Sequence, residues 1–304
     1  MSRMLHHHGR ARTSNRVAST LGRVIAYLLL ALMVVGSIFP LVVLFLTSLK
    51  ARIDVLAYPP VWIFKPTLDN YRNILGTGGA TGGEIIAQAG GTSFQTFFTN
   101  SVIVGTVTTI FSLLIGSIAA YSLARYNFKG KKGLAFALIA LRMVPPIAIV
   151  IPLYIMAARV NLLDSKLLLI LVYTSLNLSF VVWMLRGFFI EIPREVEEAA
   201  IVDGATRIQA FFSVLLPLVA PGLAATAVFT LIQSWNEFTV AYILTQRASR
   251  TLPVFLASFA QTEEGTYWGE IGAIVSLVLL PIVVFTLMAQ RHLVKGMTMG
   301  AVKG

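Results

Sequence analysis

Residues 191–217 read EIPREVEEAAIVDGATRIQAFFSVLLP, and this stretch decides how the rest of the chain is organised. It lies between two long apolar segments and carries five of the thirteen carboxylates in the sequence: Glu191, Glu195, Glu197, Glu198 and Asp203. The surrounding sequence has the composition of a protein that lies in lipid. This acidic segment instead has the composition of a surface that contacts another protein.

The overall composition excludes a water-soluble globular domain. Hydrophobic residues make up 57% of the 304 residues, charged residues only 12%, and the mean hydropathy is +0.80. Soluble domains carry about 25% charged residues. Because the sequence has no cysteine, disulfides, thiolate metal sites and a cysteine nucleophile are excluded. We assign no metal site, and the histidine run at 6–8 receives no role.

Six apolar segments predict an all-α membrane protein with six transmembrane helices, because about 20 apolar residues are needed to cross a bilayer. The predicted spans are residues 24–49, 97–123, 134–156, 167–185, 218–244 and 271–290. The third is expected to be broken, since Pro145, Pro146 and Pro152 interrupt its hydrogen bonds. The second is rich in small residues, which predicts close packing against other helices.

The distribution of Lys and Arg predicts the orientation of these spans. Fifteen of the 24 lie on the side that holds both termini, eight lie in the opposite loops, and Arg142 lies within a span. Cytoplasmic loops carry the excess of positive charge, so both termini and the 186–217 loop are predicted to be cytoplasmic. The net charge of +11 has the same explanation, and no nucleic-acid partner is expected.

The sequence is therefore divided into a cytoplasmic tail, a first span, an irregular outer loop, a helical core and a second tail. The corresponding ranges are 1–23, 24–49, 50–95, 96–290 and 291–304. The core contains the cytoplasmic loop 186–217.

Local signals divide the acidic stretch into two helices. Pro193 suits a first helical turn, and Gly204 suits the left-handed residue that follows a helix end. Thr206 and Gln209 have the spacing of a capping box, so a second helix is predicted to start there. Its apolar residues are expected to form one continuous face: Ile208, Phe211, Phe212, Leu215 and Leu216. Pro217 is expected to end this helix.

The charge of the loop favours a protein partner. Three Arg and five acidic residues give residues 186–217 a net charge of −2. Helices that lie on lipid headgroups carry a basic polar face, and so do helices that read DNA. A basic groove on another protein is therefore the favoured partner.

The same stretch resembles the EAA motif of ABC-importer permeases. Residues 198–200 (EAA) are followed after three residues by Gly204, and after nine more by Val214-x-Leu216-Pro217, where the family more often has isoleucine than valine. The resemblance covers about residues 96–290. Shorter matches point to the carbohydrate branch, in the subunit similar to the second permease of the maltose transporter: residues 47–50 (TSLK), 66–71 (PTLDNY), 143–146 (MVPP), 234–238 (SWNEF) and 300–304 (GAVKG).

This resemblance implies the type I ABC-importer architecture in a bacterial inner membrane, with a second similar permease, two ATPase subunits and an extracytoplasmic solute-binding protein. The acidic stretch would be a coupling helix seated in a cleft of an ATPase. Its coupling residues would be Glu195, Glu198, Ala199, Ala200, Asp203, Gly204, Leu216 and Pro217. Glu198 would meet basic residues, and the tail at 299–304 is a second candidate contact.

The expected mechanism is alternating access driven by ATP. The sequence contains no G-x-x-x-x-G-K-[S/T], so ATP and its Mg²⁺ are expected on the partner ATPase, with no catalytic residue in this chain. Ionisable or polar groups inside spans are functional candidates because their exposure to lipid is costly. Arg142, Asn177, Asn236 and Glu237 are therefore predicted to line the solute pathway.

Other classes stay open at this point. A secondary transporter needs a carboxylate near the middle of the membrane, and Glu237 is the candidate. An intramembrane enzyme needs a base, and the only histidine near a span is His292, at the end of the sixth. The solute is predicted to be a carbohydrate or a polyol, with a glycerol phosphodiester as the alternative. Import, rather than export, is implied by the resemblance.

Overall fold

The computed structural model describes residues 9–79, 82, 91–259 and 267–299, and the side-chain surroundings of those between 22 and 287. Within these ranges the chain forms helices and no strand. The helices are α1 Gly9–Ser48, α2 Arg52–Val55, α3 Asp69–Ile74, α4 Phe94–Arg125, α5 Lys131–Leu141, α6 Pro146–Arg159, α7 Lys166–Glu191, α8 Arg194–Val202, α9 Arg207–Ala210, a π-helix Phe211–Leu215, α10 Leu216–Leu218, α11 Ala220–Trp235, α12 Thr239–Leu244, α13 Leu252–Ser258 and α14 Trp268–Met299.

Four of these helices contain segments long and apolar enough to cross a membrane. The segments are Gly22–Ser48, Phe94–Arg125, Lys166–Glu191 and Trp268–Leu287, and two bent helix pairs raise the number to six if each pair is one span. These four segments coincide with the predicted spans at 24–49, 97–123, 167–185 and 271–290, which are confirmed as helices. α1 begins at Gly9, within the predicted first tail, and α14 ends at Met299, within the predicted second tail. Residues 6–8 and 300–304 lie outside the described residues.

The predicted third span is two helices rather than one. α5 and α6 meet at an angle of 91°. The break falls at Pro145, whose ring and missing N–H end a helix, while Pro146 opens α6 in the first turn where proline is tolerated. The predicted interruption at these two prolines is confirmed. Pro152 lies inside α6 without ending it.

The predicted fifth span is also divided, which the sequence did not indicate. The segment Arg207–Leu218 bends by 75° into α11 at Val219. α11 then ends at Trp235, and α12 starts at Thr239 after three intervening residues. The Glu237 carboxylate accepts hydrogen bonds from the backbone N–H groups of Val240 and Ala241, at 2.9 and 3.2 Å. These bonds satisfy donors at the start of a helix and so begin a new one.

The centre of the molecule is the packing of α4 against α7. Small residues on α4 allow this approach: Gly105, Thr108, Ser112, Gly116 and Ala120 are buried along one side of the helix. A Cβ atom added to Gly116 would lie 2.5 Å from the Val181 side chain on α7. The predicted role of small residues in close helix packing is therefore confirmed.

At one end of this packed core, a single carboxylate holds two loops together. Asp164 accepts four hydrogen bonds of 2.9 to 3.1 Å from the consecutive backbone N–H groups of residues 246–249. Its own N–H donates to Leu244 O, and Asn100 on α4 binds the same loop through two carbonyl groups. Partial burial raises the pKa of Asp164, but the four N–H donors outweigh this effect and hold the pKa below its ordinary value.

We expect Asp164→Asn to destabilise the protein by about 2 kcal/mol, because an amide offers one acceptor oxygen and directs its NH₂ group at backbone donors. A group whose folded pKa is lowered stabilises the fold above its unfolded pKa. The difference in melting temperature between wild type and variant should therefore narrow as the pH falls below about 3.9. Asp69→Asn is the control, since Asp69 makes only an exposed ion pair with Arg72. An equal loss of stability in both variants would contradict the stabilising role of the four hydrogen bonds to Asp164.

Candidate functional site

The loop after α7 has the turn and caps that the sequence predicts. α8 begins directly after Pro193 and ends at Val202. Gly204 follows with a φ of +94°, in the region that favours glycine. Thr206 accepts a hydrogen bond from the N–H of Gln209, whose side chain accepts one from the N–H of Thr206, so the capping box is present. Two short helices therefore meet at a tight turn, as predicted.

The outer side of this turn is an exposed acidic and apolar surface. We call Glu195, Glu198, Ala199, Val202, Asp203 and Ile208 the docking surface. Val202 is 86% exposed and Ile208 is 72% exposed. Among the described residues, none of the three carboxylates makes a hydrogen bond or an ion pair. The predicted coupling residues Ala200 and Leu216 are half-buried, while Gly204 and Pro217 are exposed.

The inner side of α8 carries a buried acid that the sequence reasoning did not assign. Glu197 is 7% exposed. Its Oε1 accepts a hydrogen bond of 2.6 Å from the Tyr121 hydroxyl, and its Oε2 lies 3.0 Å from Arg125 Nε. The Arg125 Nε–H is at ion-pair distance but not aligned for a hydrogen bond. The helical spacing places Glu195 and Glu198 on one stripe without Glu197, and only the tertiary structure shows that Glu197 contacts α4.

The predicted apolar face of the second helix is split in two. Phe211 and Leu215 are buried, whereas Ile208 and Phe212 are exposed. The cause is the π-helix Phe211–Leu215, which follows the single turn of α9. A π-helical turn contains more residues than an α-helical turn, so the spacing of 3.6 residues no longer places these side chains on one side.

The Gly204 turn makes a direct prediction. Nothing lies within 4 Å of the position where a Cβ of residue 204 would stand, so any cost of substitution comes from the backbone conformation. We expect Gly204→Ala to destabilise the loop by about 1 kcal/mol and Gly204→Val to cost more, because a β-branched residue resists positive φ. Gly204→Asn, which tolerates that conformation better, should lie closest to wild type. The rate of limited proteolysis of the loop measures the order of destabilisation among the three variants. Equal cleavage rates of all three would contradict this prediction.

A second feature is a cavity of about 560 Å³ beside the break between α5 and α6. Three of the four predicted pathway residues line it together: Arg142, Asn177 and Glu237. Asn236 does not belong to this lining; it is exposed, and its amide donates to Ile232 O. The break that the prolines impose and the break that Glu237 caps therefore open onto one cavity.

Polar side chains from three different segments are tied together along the cavity wall. Arg142 donates a hydrogen bond of 2.8 Å to Gln233 Oε1, and its guanidinium lies 5.1 Å from the centre of the Phe180 ring. Asn177 donates to Ser234 Oγ at 3.1 Å. These bonds join the α5–α6 break, α7 and α11.

Glu237 is fixed more firmly than an exposed carboxylate. In addition to the two backbone bonds that start α12, it accepts a hydrogen bond of 2.7 Å from the Tyr173 hydroxyl. Sequence reasoning missed Tyr173, Gln233 and Ser234 as lining residues. Gln233 and Glu237 stand four positions apart, a helical spacing that could have indicated a shared side, although the helix break between them makes that rule unreliable.

The described residues combine a helical fold, apolar spans, a polar cavity at broken helices and an exposed helix–turn–helix loop, which is the architecture of a membrane transport protein. The chain belongs to the family described as the binding-protein-dependent transport system inner membrane component, which it matches over residues 112–299. This match includes the whole acidic loop and all of the cavity lining.

Individual relatives and a solved structure agree with this assignment. The diacetylchitobiose uptake system permease protein DasC of Streptomyces coelicolor is 37% identical over 287 residues, covering 94% of this chain and 99% of the relative. The trehalose transport system permease protein SugB of Mycobacterium tuberculosis is 39% identical over 242 residues, covering 78% and 82%. A chain of a bacterial ABC transporter involved in the import of the acidic polysaccharide alginate superposes with a TM-score of 0.73 at 20% identity, covering 90% of this chain and 97% of that one. At that identity, the superposition shows the fold alone.

Proposed function

We propose that this chain is a permease subunit of an ATP-driven importer that moves a carbohydrate or polyol across the bacterial inner membrane by alternating access. In this proposal α5 and α6 form one span, and α11 and α12 form another after the cytoplasmic loop, which gives six spans and places both termini in the cytoplasm. The observation that carries the proposal is the docking surface, three unpaired carboxylates and two exposed apolar side chains on one tight turn. The uptake systems named for the relatives support the solute class.

The docking surface fits a basic cleft on a cytoplasmic ATPase. Glu195, Glu198 and Asp203 supply the charge, while Val202 and Ile208 supply apolar area at the tip. Interfaces that bury apolar area within a rim of complementary charge combine affinity with orientation. ATP and Mg²⁺ bind to this partner, and the present chain contributes no catalytic group.

Transport follows from movement of the docked loop. Closure of two ATPase subunits draws the loops of two permeases together, the helices attached to them tilt, and the cavity becomes accessible from the other side of the membrane. The second permease and an extracytoplasmic solute-binding protein complete the assembly. The polar side chains along the cavity, Arg142, Gln233, Asn177 and Ser234, suit hydroxyl groups of a solute.

One observation favours a second solute class. Arg142 is the single cation among the residues that line the cavity, and a guanidinium binds phosphate oxygens well. A glycerol phosphodiester is therefore the alternative solute. A secondary transporter is less well supported, because both oxygens of Glu237 already accept hydrogen bonds from the protein.

The decisive experiment is purification of the tagged chain from its native membrane. We expect ATPase subunits and a second permease to co-purify, and absence of any ATPase would refute the importer assignment. Uptake of radiolabelled trehalose, diacetylchitobiose and glycerophosphocholine by cells with and without the gene then tests the solute class. Loss of glycerophosphocholine uptake alone would favour the alternative.

A further inference from the structure

We propose that Arg125, Glu197 and Tyr121 form a positioning cluster that fixes α8 to the end of α4 and transmits movement of the docking surface into the membrane helices. This inference rests on the proposed function, since it names the part of the chain through which the docked loop acts. Glu197 touches neither the partner nor the solute in this scheme. It acts through α4.

The two faces of α8 have different roles: the outer face carries exposed acids, and the inner face contacts the cluster. Glu195 and Glu198 point outward and are exposed, whereas Glu197 points inward and is buried. Its partner Arg125 is the last residue of α4, where a positive charge is favoured by the helix dipole. The side chains of this pair are only 7% and 10% exposed. A force applied to the outer face of α8 is therefore delivered to the end of α4.

Tyr121 extends the connection to a second helix. Besides its hydrogen bond to Glu197, its ring lies 5.8 Å from that of Phe189 on α7 and 5.0 Å from that of Phe211 in the π-helix. Aromatic rings at such distances pack directly against each other. The cluster consequently stands where α4, α7, α8 and the π-helix meet.

The covalent connection of α8 to the membrane helices is weak by comparison. Ile192 and Pro193, which join α7 to α8, have the extended ψ angles of 125° and 143°. Such a short extended link transmits little torque, because no helical hydrogen bonds run across it. The buried pair resists separation, since removing either partner leaves the other charge in a place that water does not reach. A further bond of 3.4 Å from Arg194 to Arg125 O reinforces the same junction.

The absence of native cysteine allows the link to be measured directly. Spin labels at Ile201→Cys on α8, outside the docking surface, and Ile118→Cys on α4 occupy exposed positions, and the full-length permease is studied with the subunits that co-purify with it. We expect a single narrow distribution of distances between the labels. Glu197→Gln in the same background should broaden it, and should reduce the solute moved per ATP hydrolysed about tenfold.

The control is Glu198→Gln, which changes the neighbouring acid on the outer face. It should weaken capture of the ATPase while leaving the distribution of distances narrow. If the wild-type chain captures no ATPase, the proposed function fails, yet the distances still test the link. The inference would be overturned if Glu197→Gln left the distribution of label distances unchanged. It would also be overturned if Glu197→Gln lowered ATPase capture and the solute moved per ATP hydrolysed by the same factor. If the Glu197→Gln protein does not accumulate in the membrane, the Arg125→Lys protein is measured instead, and the same two results would overturn the inference.

Discussion

Replacing Glu198 with arginine is expected to abolish co-purification of ATPase subunits with this permease. Glu198 is exposed in the middle of the docking surface, with Glu195 and Val202 beside it on α8. Once docked, its carboxylate would be desolvated against a basic cleft. Losing one partner of such a pair costs roughly 2–5 kcal/mol, and reversal adds repulsion, so association should weaken about a hundredfold or more.

The measurement is the ratio of ATPase to permease after purification in detergent. Insertion of the permease into the membrane should be unaffected, because Glu198 is exposed and its carboxylate makes no hydrogen bond or ion pair among the described residues. Asp69→Arg is a matched control: it makes the same change of charge at an exposed residue of α3, where it breaks only a surface ion pair. Normal ATPase capture by the Glu198 variant would remove the central support for the proposed coupling role.

Replacing Gly272 with alanine is expected to destabilise the protein strongly. Gly272 lies on α14 where it crosses α1, and a Cβ there would stand 2.6 Å from Leu44 O and 3.0 Å from Ser48 N. These are backbone atoms, which cannot rotate away as a side chain can. Overpacking of this kind costs about 3 kcal/mol, at the upper end of the usual range.

The consequence should be selective, because α1 has few other contacts. The most apolar part of α1 has none of its residues buried in the isolated chain, and the buried residue Ser48 lies at the end of the helix, next to this crossing with α14. We expect a lower melting temperature in detergent and faster proteolysis of α1. Gly36→Ala, on α1 with nothing within 4 Å, is the control and should leave both values unchanged. Equal stability of the two variants would contradict the packing described for Gly272.

The predictions that succeeded depend on neighbours in sequence. The end of α8, the Gly204 turn and the capping box involve residues within four positions of each other, and their preferences follow from backbone geometry alone. The break at Pro145 and Pro146 is of the same kind. The four long spans follow from apolar length, which the thickness of a bilayer fixes.

The predictions that failed depend on residues distant in sequence or on a competing local geometry. The fifth span is divided because the Glu237 side chain accepts hydrogen bonds from the N–H groups of Val240 and Ala241. Nothing in an otherwise apolar segment predicts these bonds. The apolar face of the second loop helix was expected to be continuous, and the π-helix at Phe211–Leu215 separates its members. A periodic pattern predicts a face only while the helix keeps its period.

The candidate cavity shows the same division. Its polar members Arg142, Asn177 and Glu237 could be selected from sequence because charge and amide groups inside apolar segments are costly. Their assembly in one place could not be predicted from sequence, because the contacts join residues far apart in the chain. Arg142 and Gln233 are separated by 91 positions, and Tyr173 and Glu237 by 64. Asn236, equally polar and adjacent to Glu237, lies outside the lining because α11 ends beside it.

The sequence by itself determined the membrane class, the position of the long spans and the two-helix form of residues 191–217. Composition, apolar length and capping preferences act locally and need no knowledge of what lies opposite. The tertiary structure alone decided which residues the inward-facing acid of α8 contacts. Glu197 is buried because Arg125 and Tyr121 stand beneath it, 76 positions from Tyr121 along the chain, whereas Glu195 and Glu198 are left exposed for a partner.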